Sequence, residues 1–163
     1  MTGATPAGSA PGDIEVRRFQ TADLGPVREL HGSATSGARL RQGRWDDDLD
    51  SIHDIYLDSG GEFLVGILDG RLVVTGALRR VNASVAEITR LRVHPYFQRR
   101  GFALAVLTQL EAFARGSGYS GLRLVSELFQ SAAQQLFIRE GFRETGRGEI
   151  TGVGVIYYEK RLA

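Results

Sequence analysis

Two apolar runs, Glu62–Leu68 and residues 71–81, flank the dipeptide Asp69-Gly70. Both central residues of the tightest hairpin turns need a positive φ, and Asp-Gly supplies it at low cost. The pattern predicts an antiparallel hairpin. Val85–Val93 reads as a third strand, reached through Asn82-Ala83-Ser84. The period then changes. Phe102, Val106, Leu110 and Phe113 recur at spacings of four, four and three, which predicts a helix over 99–115. Three strands running straight into a long amphipathic helix exclude an all-helical or an all-strand chain.

The rest of the chain continues the mixture. Residues 14–19 suit a first strand, and Thr21 is the expected cap of a helix carrying Leu24, Val27 and Leu30. A glycine-broken loop is expected over 32–44. A second helix is expected from Asp46, with Leu49, Ile52 and Tyr56 on one face. After the long helix come a strand at 122–126 and a helix at 131–140 that stops at Gly141. A last hairpin of 142–147 and 153–160 closes the chain. The order β-α-α-β-β-β-α-β-α-β-β predicts an α+β (mixed α/β) domain.

At 163 residues the chain fits one domain, taken as 13–163, behind a disordered Ala/Gly/Ser/Pro lead-in at 1–12. A net charge of +1 gives no electrostatic case for nucleic acid or an anionic membrane as partner. The absence of cysteine excludes disulfides, thiolate metal sites and a cysteine nucleophile. His31, His53 and His94 are scattered, so no metal is expected. No apolar stretch is long enough to span a bilayer and the start lacks a secretory pattern, so a cytoplasmic location is the default expectation.

Most chemistry is concentrated where Leu91-Arg92-Val93 runs through His94-Pro95 into Gln98-Arg99-Arg100-Gly101-Phe102-Ala103. A strand ends, and a helix begins on a glycine. The first turn of a helix carries free N–H groups and the positive end of the macrodipole, which suit a phosphate. Gly101 lets a ligand approach the backbone closely. The same residues also read as an ordinary helix start with exposed arginines. The Walker loop and the three-glycine dinucleotide fingerprint are both absent.

This stretch resembles the phosphate-binding motif of the GNAT superfamily of N-acetyltransferases, Gln/Arg-x-x-Gly-x-Gly/Ala, with Gln98, Gly101 and Ala103 in its three positions. Downstream, Ala133, Leu136, Phe137, Gly141 and Phe142 resemble that family's second motif. The resemblance implies a GNAT-like acyl-CoA N-acyltransferase fold: a central mixed, mostly antiparallel sheet flanked by helices, with strands 4 and 5 splayed. It implies acetyl-CoA as cosubstrate. Leu91, Arg92 and Val93 would pair with the pantetheine arm. Gln98 belongs to the same motif, and the amides of Arg99, Arg100, Gly101, Phe102, Ala103 and Leu104 would receive the pyrophosphate. Gln130 stands where the family usually has asparagine. The competing reading, held second, is a plain helix-start residue.

The implied reaction is acetylation of a primary amine on a small molecule, peptide or protein by direct attack on the thioester. A lysine-like amine must first lose its proton, which at pH 7 costs about 4.6 kcal/mol. Glu87 is the candidate general base, and the competing reading is a strand glutamate paired with an arginine. On an unbroken strand Glu87 shares a face with Leu91 and Val93; a bulge would reverse that. The backbone N–H of Val93 is the candidate oxyanion donor. The family's usual acid is a tyrosine at the position of Phe137, which cannot give a proton. Tyr157 or Tyr158 is the weak substitute, and strand packing is the ordinary reading of both. A thiolate leaving without enzyme protonation is the other option. Phe137 also keeps open a non-catalytic acyl-CoA sensor.

His94 reads better as a surface histidine than as an acid or base. Trp45 and Phe63 read as core before pocket wall. Arg39, Arg41 and Arg44 argue for an anionic acceptor, whereas Asp46, Asp47, Asp48, Asp50 and Asp54 argue for a cationic one. Both clusters read as solvated surface, so the acceptor stays unnamed. Self-association into a homodimer is left open.

Overall fold

The computed structural model describes residues 14–32, 48–128 and 130–162. The lead-in expected at 1–12, nearly all of the loop expected at 32–44 with its arginines, and Trp45, Asp46 and Asp47 lie outside the described residues. Among the described residues seven strands form one sheet: β1 (Glu15–Arg18), β2 (Glu62–Leu68), β3 (Arg71–Arg80), β4 (Val85–Val93), β5 (Gly121–Glu127), β6 (Arg143–Ile150) and β7 (Val153–Arg161). Their spatial order is β1-β2-β3-β4-β5-β7-β6. Every neighbouring pair is antiparallel except β4 and β5, which are parallel. That one parallel pair is obligatory, because the connection between them is a crossover through a helix.

Helices α1 (Leu24–Gly32), α2 (Phe102–Gly116) and α3 (Ser131–Arg139) complete the fold. The expected face of α2 is the buried one: Phe102, Val106 and Leu110 pack with Val74, Leu78 and Ile88. Gly76 of β3 brings α2 close, since a Cβ there would lie 2.5 Å from Val106 Cγ1. On the other side of the sheet Val27 of α1 joins Phe19, Leu49, Ile52, Tyr56, Phe63, Val65 and Ala77 in a second core. Phe63 is therefore a core residue. It has no exposed surface, and its ring meets those of Phe19 and Tyr56 edge-on.

Element boundaries depart from the expectation for local reasons. The turn Thr21–Asp23 before α1 starts after Gln20, so Thr21 is not the cap. The Gln20 N–H donates to the Asp23 carboxylate at 2.8 Å, and the Arg17 guanidinium grips the same carboxylate at 2.8 and 3.0 Å. The expected second helix is short and irregular. It closes on a wide turn, His53–Leu57, in which the Asp58 N–H reaches back five residues to the His53 carbonyl. Helix α2 starts at Phe102 and not at Arg99, because Arg99 (φ 64) and Gly101 (φ 82) are left-handed and cannot continue a right-handed helix. Gly141, at φ 95, ends α3 as expected. Phe142 turns into the core, so β6 begins one residue later.

Candidate active site

The sheet opens at one place. The parallel pair β4 and β5 keeps register only through Val85↔Gly121, Ala86↔Leu122 and Glu87↔Arg123. Past Glu87, β4 runs six more residues to Val93 with β3 on one edge only. Strand β5 runs on to Glu127, paired along its length with β7. The two strands therefore diverge into a gap bordered by bare backbone. The His94 N–H donates to the Val73 carbonyl at 2.7 Å. By the alternation of an antiparallel ladder, the N–H and C=O of Val93 point the other way, into the gap.

The gap leads to the start of α2. Pro95–Phe97 form a tight turn, Gln98 is extended, and the left-handed Arg99 and Gly101 swing the chain into the helix. The first helical bond here runs from the Ala105 N–H to the Gly101 carbonyl at 3.0 Å. Among the described residues no protein acceptor meets the amides of residues 99–104. Gln98, Arg99, Arg100 and Gly101 are all exposed. The Arg100 and Arg71 guanidinium carbons lie 5.1 and 5.6 Å from the centre of the Phe97 ring, a cation–π arrangement that adds positive charge beside those amides.

A bulge sets the facing of the gap. Thr75 pairs with Arg92 and Ala77 with Thr89, so Gly76 alone opposes both Arg90 and Leu91. Arg90 carries the strain at φ 56. Ile88, Leu91 and Val93 all lie against the α2 core despite their odd spacing. Glu87 consequently does not share a face with Leu91 and Val93: it lies with Thr89 on the α1 side. Its carboxylate is 3.8 Å from the Arg123 guanidinium. Glu87, Arg123, Val125, Thr145 and Tyr157 line an open hollow of about 320 Å³ at the closed end of the gap.

A polar network that the sequence did not announce surrounds the bulge. Arg90 Nε donates to the Asp48 carboxylate at 3.0 Å, with a second bond from Nη2. The Tyr56 hydroxyl donates to the same carboxylate and lies 3.1 Å from Thr89 Oγ1. Burial, reinforced by the Asp48 charge, pushes the Tyr56 phenol far above its ordinary range. Asp48 is thus a half-closed ion-pair partner, not part of a solvated face. Asp50, by contrast, stays exposed beside Arg28. Behind the bulge, His31 Nε2 lies 2.8 Å from Thr75 Oγ1, and Thr75 donates to the Arg90 carbonyl at 2.7 Å. One signal was legible: His31 follows Val27 by four residues and so falls on the apolar face of α1.

The remaining candidates are dispersed. Gln130 immediately precedes α3, makes no side-chain cap, and donates its N–H to the Glu127 carbonyl at 3.1 Å. His94 is engaged at the loop by the Tyr96 amide at 3.2 Å and by Arg71 at 3.3 Å. Phe137 is buried against Phe142 and Tyr158, each ring centre 5.9 Å away. Tyr158 is therefore on the α3 side, and burial raises its phenol above the ordinary value. Tyr157 is on the opposite side. Its ring lies over β6, with its hydroxyl 3.3 Å from where a Cβ on Gly148 would be.

A sheet forked between a parallel pair, with a glycine-started helix at its mouth, is the architecture of acyl-CoA-dependent acyltransferases of known structure. The chain superposes on a GNAT-family acetyltransferase of Staphylococcus aureus with a TM-score of 0.82, covering 92% of this chain and 99% of that one at 20% identity. It superposes on yncA of Salmonella typhimurium, solved with its cofactor acetyl-CoA, with a TM-score of 0.78, covering 92% and 94% at 19% identity. These likenesses show the fold alone. The family model described as "Acetyltransferase (GNAT) family" matches residues 26–142. The chain belongs to that family. In sequence it is similar to the N-acetylaspartate synthetase of Danio rerio, 30% identical over 63% of this chain and 37% of that protein. It is also similar to N-acetyltransferase 8 of Mus musculus, 33% identical over 61% and 46%. It thus spans less than half the length of these two relatives. Among the described residues no helix is long and apolar enough to cross a membrane.

Proposed function

We propose that this chain moves the acetyl group of acetyl-CoA to a primary amine by direct attack. The observation that carries the reading is the bare edge of β4 past Glu87, opening onto the unpartnered amides of residues 99–104. A pantetheine arm carries amide groups that need partners along an extended path, and the edge from Leu91 through Arg92 to Val93 offers the outward groups of Leu91 and Val93, those of Arg92 being turned to β3. A diphosphate needs convergent N–H donors, and the turn from Arg99 through Gly101 to Leu104, with Arg99 and Arg100 at its rim, offers those. Gln98, which leads into that turn, and Gln130, which precedes α3, are further polar contacts in this reading.

Within this reading Val93 donates its outward N–H to the oxygen that gains negative charge as the amine attacks. Glu87 takes the ammonium proton, directly or through water, from the α1 side of the gap. The amine then enters from that side, across the sheet from α2, with alignment of the two reactants as the main source of acceleration. Of the two tyrosines, Tyr158 suits protonation of the departing thiolate better. It abuts Phe137, the place where the family keeps its phenol, and its burial holds the proton on. Tyr157 lies over β6 and is the second choice. The names of the two relatives support an N-acetyltransferase, and that of the N-acetylaspartate synthetase favours a small amine as acceptor; a location in the cytoplasm is part of this proposal.

The test is release of CoA from acetyl-CoA in the presence of a panel of amines, including amino acids and peptide N-termini. Turnover above the buffer rate, reduced by Glu87→Gln and by Tyr158→Phe but not by Tyr157→Phe, supports these assignments. Tight CoA binding with no turnover on any amine would leave the acceptor and Glu87 assignments without support.

A further inference from the structure

We propose that Thr75 is a positioning residue for the cofactor edge of β4, acting through the carbonyl of Arg90. The proposal rests on the acetyl-CoA reading above and adds to it a residue outside both family motifs. Thr75 is a hydroxyl among apolar neighbours: it is fully buried, as are Val73, Val74, Ala77 and Leu78 on the same strand. A buried hydroxyl is costly unless its hydrogen-bonding capacity is used. Here it is used in both directions. The Arg90 carbonyl can only accept, so the Thr75 O–H donates to it at 2.7 Å. The same oxygen must then accept from His31, whose Nε2 is 2.8 Å away, and this places a proton on Nε2.

The relay ends at the one strained residue of the strand. A non-glycine residue in the left-handed region costs about 1 kcal/mol, and Arg90 at φ 56 holds it. What the bulge achieves is a change of phase. It turns Leu91 and Val93 onto the α2 side and sends the Val93 amide into the gap. A strand that slipped back to regular pairing would reverse every later residue. Arg92, two residues on, is tied to the same helix end, since its guanidinium donates to the His31 carbonyl at 3.2 Å. The last turn of α1 therefore grips β4 on both sides of Leu91, through the side chain and the carbonyl of a single histidine. The Thr75 hydroxyl is the link that converts that grip into a fixed bulge.

The experiment compares Thr75→Val, which keeps the shape and removes the hydroxyl, with Thr75→Ser, which keeps the hydroxyl. CoA affinity is measured by calorimetry, and KM for acetyl-CoA and for the acceptor by CoA release. Leu162→Ala serves as a general destabiliser, since Leu162 is a buried residue beyond β7, tied through its N–H to the Ser120 carbonyl and away from Thr75. The expected result for Thr75→Val is a rise of about tenfold in the CoA Kd and in KM for acetyl-CoA, in line with one lost buried hydrogen bond. The acceptor KM stays within about twofold, Thr75→Ser restores CoA binding, and Leu162→Ala loses thermal stability without losing CoA affinity. Thr75→Ala carries the same expectation should Thr75→Val fail to fold. CoA binding by Thr75→Val at the wild-type level overturns the proposal. So does an equal loss of affinity in Leu162→Ala, which would make the effect general loosening. If the wild-type protein itself gives no heat with CoA, the acetyl-CoA reading fails first, and that result is distinct from either of these.

Discussion

The two flanks of β4 are built differently. Toward β3 the strand is paired from Ala86 to Val93, interrupted only at the bulge, and the buried residues behind it are tied by Thr75, His31 and Arg90. Toward β5 it is paired for three residues and then released. One strand thus has a sealed edge and an open one. The sealed flank has the polar network and the strained bulge at Arg90, and the open edge has no ladder past Glu87. The contrast teaches that an unpaired edge inside a sheet is sustained by over-determination elsewhere. The backbone left bare on one side is held in place by contacts made on the other.

The largest way to break the open flank is at its mouth. Gly101→Glu puts a carboxylate and a left-handed side chain where the diphosphate is proposed to sit. CoA affinity should fall by more than about 100-fold by calorimetry, while the fold loses only about 1 kcal/mol from backbone strain. Unchanged affinity would remove the basis for the phosphate assignment. Next, Glu87→Gln should lower kcat about 100-fold while KM for acetyl-CoA stays within about twofold, because Glu87 lies before the edge proposed for the cofactor, on the α1 side. A change confined to KM would place Glu87 in binding and not in proton transfer.

The sealed flank is tested through Arg90→Ala. The Arg90 and Asp48 side chains are only 10% and 16% exposed, so removing one partner leaves a poorly hydrated charge. A loss of about 2–3 kcal/mol in denaturant unfolding is expected. Relief of the left-handed backbone does not offset it, since alanine is nearly as strained there. At the far edge of the sheet the Arg17–Asp23 pair is a control for both flanks. The hydrogen bonds from Arg17 hold the Asp23 carboxyl below its usual range. Its contribution is therefore present above the unfolded carboxyl value of about 3.9 and is lost as pH falls through the lower folded value. Asp23→Asn should cost about 1–2 kcal/mol at neutral pH, lose that deficit in strong acid, and leave CoA binding unaltered. The smallest effect is Arg123→Ala. Arg123 is 48% exposed and 3.8 Å from Glu87, and its loss should change stability by less than about 0.5 kcal/mol.

The hairpin at Asp69-Gly70, the three consecutive strands, the apolar face of α2 and the glycine stop of α3 were all legible along the chain. Each is written in neighbouring residues: a turn residue at a fixed offset, or a period of two or 3.6. The turn that opens α2 was legible for the same reason, since Gln98, Gly101 and Ala103 are close in sequence. The facing of Glu87 was not. Nothing in Ala86-Glu87-Ile88-Thr89-Arg90 marks a bulge, because the left-handed residue is an arginine and not a glycine.

By itself, then, the sequence determined which segments become strands and helices, their order, and the local backbone that opens α2. Tertiary structure decided where β4 parts from β5, which side of it Glu87 occupies, and that Asp48, Tyr56, Thr75 and His31 converge on the Arg90 bulge. The division follows from range. Periodicity and turn chemistry act over a few residues, whereas Asp48 meets Arg90 across 42 positions and His31 meets Thr75 across 44. Contacts of that span exist only once the two cores have packed and brought α1 against the sheet.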